Sequence, residues 1–246
     1  EEVEADGFTI AGRLRTLAPG DQPADIAASI AKGIEAFARH MASNPPDMLV
    51  IIGDRFDMYS AAVSALPLAI PIAHIHGGEL TLGAFDDALR HSMTKLSHLH
   101  FVTTQDYAHR IRQLGEEDWR IVVSGAPSLD NLNNFRPLSR ETLEGLIGAS
   151  LGPAPLLVTF HPTTLEYQDV GAQTESLLAA LQIIDREIVI TLPNADTGNE
   201  TIINKLHAFC QNRENAHVVN NLGTKAYFSL MKLAGTMIGN SSSGLI

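Results

Sequence analysis

Cysteine is nearly missing from this 246-residue chain, with Cys210 as its single copy. That excludes a disulfide framework and fits a reducing cytoplasm. Long apolar runs are missing too. The longest, residues 61–75, is broken by Pro67, Pro71 and His74, too interrupted to span a bilayer. The opening Glu1-Glu2-Val3-Glu4 has no basic stretch followed by an apolar one, so no signal peptide is visible. Positive charge is scarce: 17 Lys and Arg face 28 Asp and Glu, a net charge of −11. Such a surface repels phosphate polymers, so neither nucleic acid nor an anionic membrane is an expected partner. A small anion could still bind where helix-start N–H groups and one or two Arg gather. No internal repeat, low-complexity segment, Walker A or G-x-G-x-x-G motif occurs.

What is present is an ordinary globular composition, 45% hydrophobic and 18% charged, enough for one large core or two small ones. Helical and strand patterns alternate. Residues 25–41 place Ile26, Ile30, Ile34, Phe37 and Met41 at helical spacing. Residues 48–52 form a continuous apolar run, expected as a strand buried on both faces. Further strands are expected at 70–75, 100–103 and 121–124, with helices at 61–66, 85–96 and 107–114. The Asn-rich stretch 127–137 reads as a connector, since Asn and Pro favour turns. After it come strands at 156–160, 188–191, 217–219 and 236–238, with helices at 174–184, 201–209 and 226–233. Two blocks of alternation imply two doubly wound parallel sheets, residues 1–136 and 137–246. Both ends look cut, with a first strand missing before Glu1 and Ile246 falling in the first turn of a helix.

Ligands of such sheets bind beyond the carboxyl ends of the strands, and unusual polar residues cluster there. Asp54 and Arg55 leave the first strand; Arg55 could fork onto a phosphate, or Asp54 could simply cap a helix. His74 and His76 are expected on one strand face, followed by Gly77, Gly78 and Glu79. A metal reading of His-x-His plus Glu is the weaker one, for no further ligand cluster is evident. Asp86 and Asp87 open a helix, where the dipole favours them, and Asp87 sits at helical spacing from Arg90 and His91. His161 ends a strand before Pro162. Asn194 lies in another strand-end turn, to read a base or ribose or merely to start the turn. Gly239 to Gly244, with Ser241 and Ser242, can cradle an anion or merely cap a helix.

Taken in order, Gly53-Asp54-Arg55-Phe56-Asp57, His74-Ile75-His76-Gly77-Gly78-Glu79, Asp86-Asp87-x-x-Arg90-His91-x-x-x-Lys95-x-x-His98, His161-Pro162-x-Thr164, Pro193-Asn194-x-Asp196 and Gly239-Asn240-Ser241-Ser242-x-Gly244 resemble one family. It is that of the hydrolysing UDP-N-acetylglucosamine 2-epimerases of bacterial sialic-acid synthesis and of the epimerase half of the animal bifunctional enzyme. The similarity runs from about Leu49 to the last residue. It implies an α/β, GT-B-like architecture of two Rossmann-like domains with a ligand cleft. The implied reaction eliminates UDP across C1–C2 and hydrates the 2-acetamidoglucal to N-acetylmannosamine, with no nicotinamide or metal.

By position, the resemblance makes Asp54, Glu79, Asp86, His161 and His76 the catalytic candidates. Arg55, His161, Asn194, Leu222, Ser241 and Ser242 become the UDP contacts. Several relatives carry glutamate where this chain has His76, leaving proton transfer to His76 or to Glu79, with Glu79 favoured. The family's opening Gly-Thr-Arg strand and an acidic residue beyond Ile246 have no counterpart in this sequence. The resemblance further implies a cytoplasmic homo-oligomer, dimer or tetramer. The competing readings are a non-hydrolysing epimerase, an epimerase of UDP-diacetylbacillosamine, a glycosyltransferase on the same fold, for which no acceptor signature is visible, and a non-catalytic nucleotide-binding module.

Overall fold

A computed structural model describes residues 2–133 and 135–244. The chain divides into two compact units, Glu1–Asn133 and Asn134–Ile246.

The first unit opens with the short helix α1 (Glu2–Ala5) and the long α2 (Pro23–Ser43). Pro23 suits a first helical position, where its missing N–H costs nothing. Gln22 donates its backbone N–H to Asp25 at 3.0 Å, half of a reciprocal capping box. Four parallel strands follow, β1 (Leu49–Ile52), β2 (Ile72–Ile75), β3 (Leu99–Val102) and β4 (Ile121–Val123), in spatial order β1-β2-β3-β4. Between them run α3 (Phe56–Ala65), α4 (Asp86–Leu96) and α5 (Gln105–Gln113). Met41, Ile51, Ala61, Ala65, Ile72 and Met93 join α2, β1, α3, β2 and α4 in one core. α2 and α3 lie close because small residues meet: the hydroxyls of Ser60 and Ser64 donate to the carbonyls of Ile30 and Ile34 at 3.2 and 2.9 Å.

β1 departs from expectation. Ile51 is 1% exposed, but Val50 and Ile52 stand 59% and 50% exposed. It is an edge strand, and among the described residues only one of its faces is covered. An apolar run cannot by itself tell a doubly covered strand from this one.

α6 (Pro127–Asn133) occupies the stretch expected as a connector. The second unit then begins with α7 (Arg140–Ile147), which the sequence reading passed over. Ser139 accepts from the Thr142 N–H at its start, and Gly148 closes it in the left-handed conformation. The rest is β5 (Leu156–Thr159), α8 (Val170–Gln182), β6 (Ile188–Thr191), α9 (Asn199–Gln211), β7 (Ala216–Val219), α10 (Gly223–Leu233) and β8 (Thr236–Gly239). The strands are parallel in order β7-β6-β5-β8. Every residue of β5 and β6 is buried, as central strands covered on both faces should be. The chain steps from β5 to β6 and β7 on one side, then returns to place β8 on the other. The order therefore reverses at β5, and loops diverging at such a point leave a crevice for ligand. The expected helical turn at Ile246 lies outside the described residues.

Gly239 closes β8 at φ +140°, where a Cβ would stand 1.8 Å from the Thr159 carbonyl oxygen. Gly148 also has a positive φ, +78°, but open space around it. Gly148→Ala should cost about 1 kcal/mol of stability from backbone strain alone. Gly239→Ala should cost about 3 kcal/mol, because strain and overlap add. Urea denaturation of the two variants reads the difference; equal losses would contradict the close approach of β8 to β5.

Candidate active site

In the first unit the strand-end residues gather around a cation that the sequence reading paired differently. Arg90, on the inner face of α4, is buried. Its Nη2 donates to Asp54 Oδ2 and, at 3.0 Å, to Thr81 Oγ1. Thr81 in turn donates to Asp54 Oδ2 at 2.7 Å. Nη1 donates to the His76 carbonyl at 2.7 Å and lies 3.6 Å from Glu79 Oε2. One guanidinium thus ties the loops after β1 and β2 to α4. Its Nε is buried without a hydrogen-bond partner among the described residues. Asp54 does not cap α3; the capping position is Arg55, whose side chain makes no capping bond to the helix. Asp87 accepts the Thr81 N–H at 3.0 Å and lies 3.6 Å from His91 Nε2, so helical spacing served His91 rather than Arg90.

The loop after β2 is rigidly built. His74 is fully buried and its Nε2 donates to the Gly53 carbonyl at 2.8 Å. Burial, opposed by that bond, lowers its pKa to about 4. His76 does not share its face. Strand β2 ends at Ile75, and His76 turns to φ +66°, breaking the two-residue alternation. Its backbone N–H donates to Phe101 O at 3.0 Å, and its Nδ1 lies 2.7 Å from Glu79 Oε1. Thr103, at the end of β3, donates to the same Oε1 at 3.1 Å. Gly78 is required where it stands: at φ +77° a Cβ would meet the Tyr107 carbonyl at 2.5 Å. Arg110 donates to the Gly78 carbonyl. Burial by itself would raise the Glu79 pKa, but the His76 bond and charge, Arg90 and Thr103 together hold it below the usual carboxylate value. Asp86 is buried at the first turn of α4. Arg55 is half-exposed, its Nε 3.6 Å from Asp57 Oδ1 and its guanidinium 5.3 Å from the Phe56 ring centre.

In the second unit, the loops after β5, β6 and β8 are laced together at the reversal of strand order. Asn240 accepts the His161 N–H at 2.8 Å and donates back to the His161 carbonyl at 2.9 Å. His161 Nδ1 accepts the Asn194 N–H at 3.3 Å, so in the neutral ring Nε2 carries the proton and is a donor. Hydroxyls run in a chain from Thr159 to Tyr227 (3.1 Å), Tyr227 to Ser243 (2.8 Å) and Ser243 to Ser241 (2.8 Å). Ser242 is exposed at the start of a 3-10 turn. The Asn194 side chain is exposed, and Leu222 is half-buried against the core of this unit at the start of α10.

Asp54, His76 and Glu79 are therefore brought together in the first unit, and His161, Asn194 and Ser241 in the second. Sequence reasoning missed Arg90 as a centre, and Thr81, Thr103, Asn240, Tyr227 and Ser243 as partners. The strand-end rule could have found Thr103 and Asn240; Tyr227, inside a helix, gave no signal. Among the described residues no group of three or more His, Cys, Asp or Glu side chains could hold a metal ion, and no helix is long and apolar enough to cross a membrane.

A family model described as UDP-N-acetylglucosamine 2-epimerase matches residues 2–246. A protein of Campylobacter jejuni named GDP/UDP-N,N'-diacetylbacillosamine 2-epimerase (hydrolyzing) is 38% identical over the whole chain. One of Legionella pneumophila named UDP-N,N'-diacetylbacillosamine 2-epimerase (hydrolyzing) is 30% identical, again over the whole chain. The chain spans 64% of the length of each. Among solved structures, the UDP-GlcNAc 2-epimerase of Neisseria meningitidis bound to UDP-GlcNAc matches with TM-score 0.73 at 16% identity, covering 99% of this chain and 66% of that one. That likeness carries the fold, a GT-B-like pair of Rossmann-like units.

Two outcomes follow for stability. His74 resists protonation in the folded state down to about pH 4 but takes a proton near 6.5 when unfolded. Between those values the unfolded chain binds more protons, so stability falls as pH falls. The loss should reach about 3 kcal/mol, with His100, also lowered by burial, adding in the same direction. His74→Gln should flatten that slope in urea melts from pH 7 to 4; an unchanged slope would refute the assignment. Arg90→Met, which strands buried carboxylates, should cost about 3 kcal/mol or more at neutral pH; a loss below about 1 kcal/mol, the scale of an exposed ion pair, would contradict the role of Arg90 as a buried centre.

Proposed function

The chain belongs to the UDP-N-acetylglucosamine 2-epimerase family, and we propose that its protein hydrolyses a UDP-linked 2-acetamido sugar with inversion at C2. UDP is eliminated across C1–C2, and water adds to the resulting glycal. The observation that carries this reading is the convergence of Asp54 and Glu79, from successive strand ends, on the buried Arg90. The C2 proton is weakly acidic, so its removal needs a group held in place. Positive charge building at C1 as the diphosphate leaves is stabilised by carboxylates, a role for Asp54 and Asp86. In the second unit the His161 Nε2 donor and the serine hydroxyls after β8 suit the leaving diphosphate. Ser241, Ser242 and Arg55 are the phosphate contacts in this reading, and Asn194 and Leu222 the uridine contacts.

UDP-N-acetylglucosamine is the first substrate of this reading, with N-acetylmannosamine as product for sialic-acid-type synthesis in the cytoplasm. UDP-N,N'-diacetylbacillosamine is the second, favoured by the names of the two relatives above. The loop between Glu79 and Asp86 supports it, for Leu80 and Leu82 are 48% and 87% exposed there, and a deoxygenated, doubly acetylated sugar offers them more apolar surface.

The test is incubation of the complete gene product with each UDP-sugar in D2O, followed by NMR. Free 2-epimerised sugar carrying deuterium at C2, with UDP, is the expected outcome. An epimerised sugar still attached to UDP would replace the reading with a non-hydrolysing epimerase. UDP binding without turnover of either sugar would reduce the protein to a nucleotide-binding module.

A further inference from the structure

The geometry of His76 and Glu79 divides their labour in a way the sequence left open. We infer that Nε2 of His76 moves the proton at C2 and that Glu79 is a positioning residue acting through the imidazole. This rests on the elimination reading above and deepens it. Nδ1 of His76 lies 2.7 Å from Glu79 Oε1. An ionised carboxylate can only accept, so Nδ1 carries the hydrogen and the Nε2 lone pair is left for chemistry. Nε2 has no protein hydrogen bond among the described residues, and the side chain is 16% exposed, open enough to meet a substrate.

Glu79 is committed elsewhere. Oε1 accepts from both His76 and Thr103, while Oε2 faces Arg90 at 3.6 Å. A carboxylate so paired is a weak base, and its lowered pKa agrees. Asp54 is likewise engaged, paired with the same guanidinium and accepting from Thr81. The charged and titratable groups facing His76 are thus Glu79 on its own loop and Arg90 from α4, which grips the His76 carbonyl.

The backbone points the same way. His76 holds φ +66°, a conformation disfavoured for a residue that carries a Cβ. It is enforced from both sides, by the N–H bond to Phe101 O and the carbonyl bond from Arg90. Strain held by over-determined bonding is typical of residues whose direction matters. Here it swings the ring off the strand face onto Glu79.

In the elimination, Nε2 takes the C2 proton and the C–H electron pair becomes the C1=C2 bond. The C1–O pair leaves with UDP. The imidazolium, stabilised by Glu79, then gives its proton to water. In the second half C2 takes a proton from a donor on the opposite face, the C1=C2 pair becoming the new C–H bond, while water oxygen bonds C1 and the proton it releases restores the donor.

The test uses the complete gene product and the UDP-sugar it turns over. His76→Gly suits the positive φ, so the loop should keep its shape, checked by an unchanged melting temperature. Its kcat should fall about 100-fold or more and recover with added imidazole in proportion to the neutral form. Glu79→Gln, still able to accept from Nδ1, should lower kcat about 10-fold or more with KM little changed. It should also move the acid limb of kcat/KM to lower pH, since the imidazolium loses its counter-charge. Undiminished turnover by His76→Gly without imidazole, a loss that imidazole does not restore, or an unmoved acid limb in Glu79→Gln would each overturn the inference while leaving the elimination reading standing. A wild-type protein that fails to exchange C2 hydrogen overturns both.

Discussion

A guanidinium out of water must be surrounded by acceptors or it destabilises the fold by several kcal/mol. Arg90 imposes that condition on the first unit. Its acceptors are a carboxylate after β1 and, in the loop after β2, a carbonyl and a hydroxyl, with a second carboxylate close by. Backbone bonds carry the sheet pattern only a residue into these loops, from Gly53 N–H to Ile75 O and from His76 N–H to Phe101 O. Beyond them the cation ties the loops to one another, and with them Asp54, His76 and Glu79. A lysine could not do this, because a point charge lacks the planar fork that reaches Asp54 and the His76 carbonyl at once.

The second unit solves the same problem without charge. Asn240 exchanges two hydrogen bonds with the His161 backbone, as a neighbouring strand would, after β5 and β8 have separated. A hydroxyl chain through Tyr227 then anchors the serine turn to the sheet. Neutral bonds leave the local field open, so an anion placed there meets donors already oriented and no cation already neutralised.

Where packing obeys local pattern, the sequence was a sufficient guide. β6 was expected at 188–191 and lies there, because Ile188 to Thr191 are apolar or small, β-branched and bounded by turn residues. α6 was missed because Asn131 and Asn133 were weighed as turn formers, yet each costs a helix under about 1 kcal/mol. α7 was passed over although Ser139 and Gly148 are readable caps. The site was legible as strand ends and illegible as contacts. Arg90 stands three residues from Asp87, yet its partner is Asp54, 36 residues away; helical spacing offers a candidate and tertiary burial chooses another. His76 was read into a strand face because nothing local marks a His that will adopt positive φ. Only the bonds to Phe101 and Arg90 force it.

If an acidic chain is to handle an anionic ligand, as proposed above, it must place its few cations with care. Arg90 is consumed by the chain's own carboxylates, and Arg110 is bonded to the Gly78 carbonyl. The first unit therefore has little net positive charge to offer a diphosphate at the centre of its cluster. It has instead fixed carboxylates and an oriented imidazole, as the proposed removal of a C2 proton and an electron-poor C1 would require. The oriented neutral donors lie in the second unit, at the point where its strand order reverses. The two units thus differ in how their strand-end loops are held: the first by a guanidinium among carboxylates, the second by neutral hydrogen bonds between Asn240 and the His161 backbone.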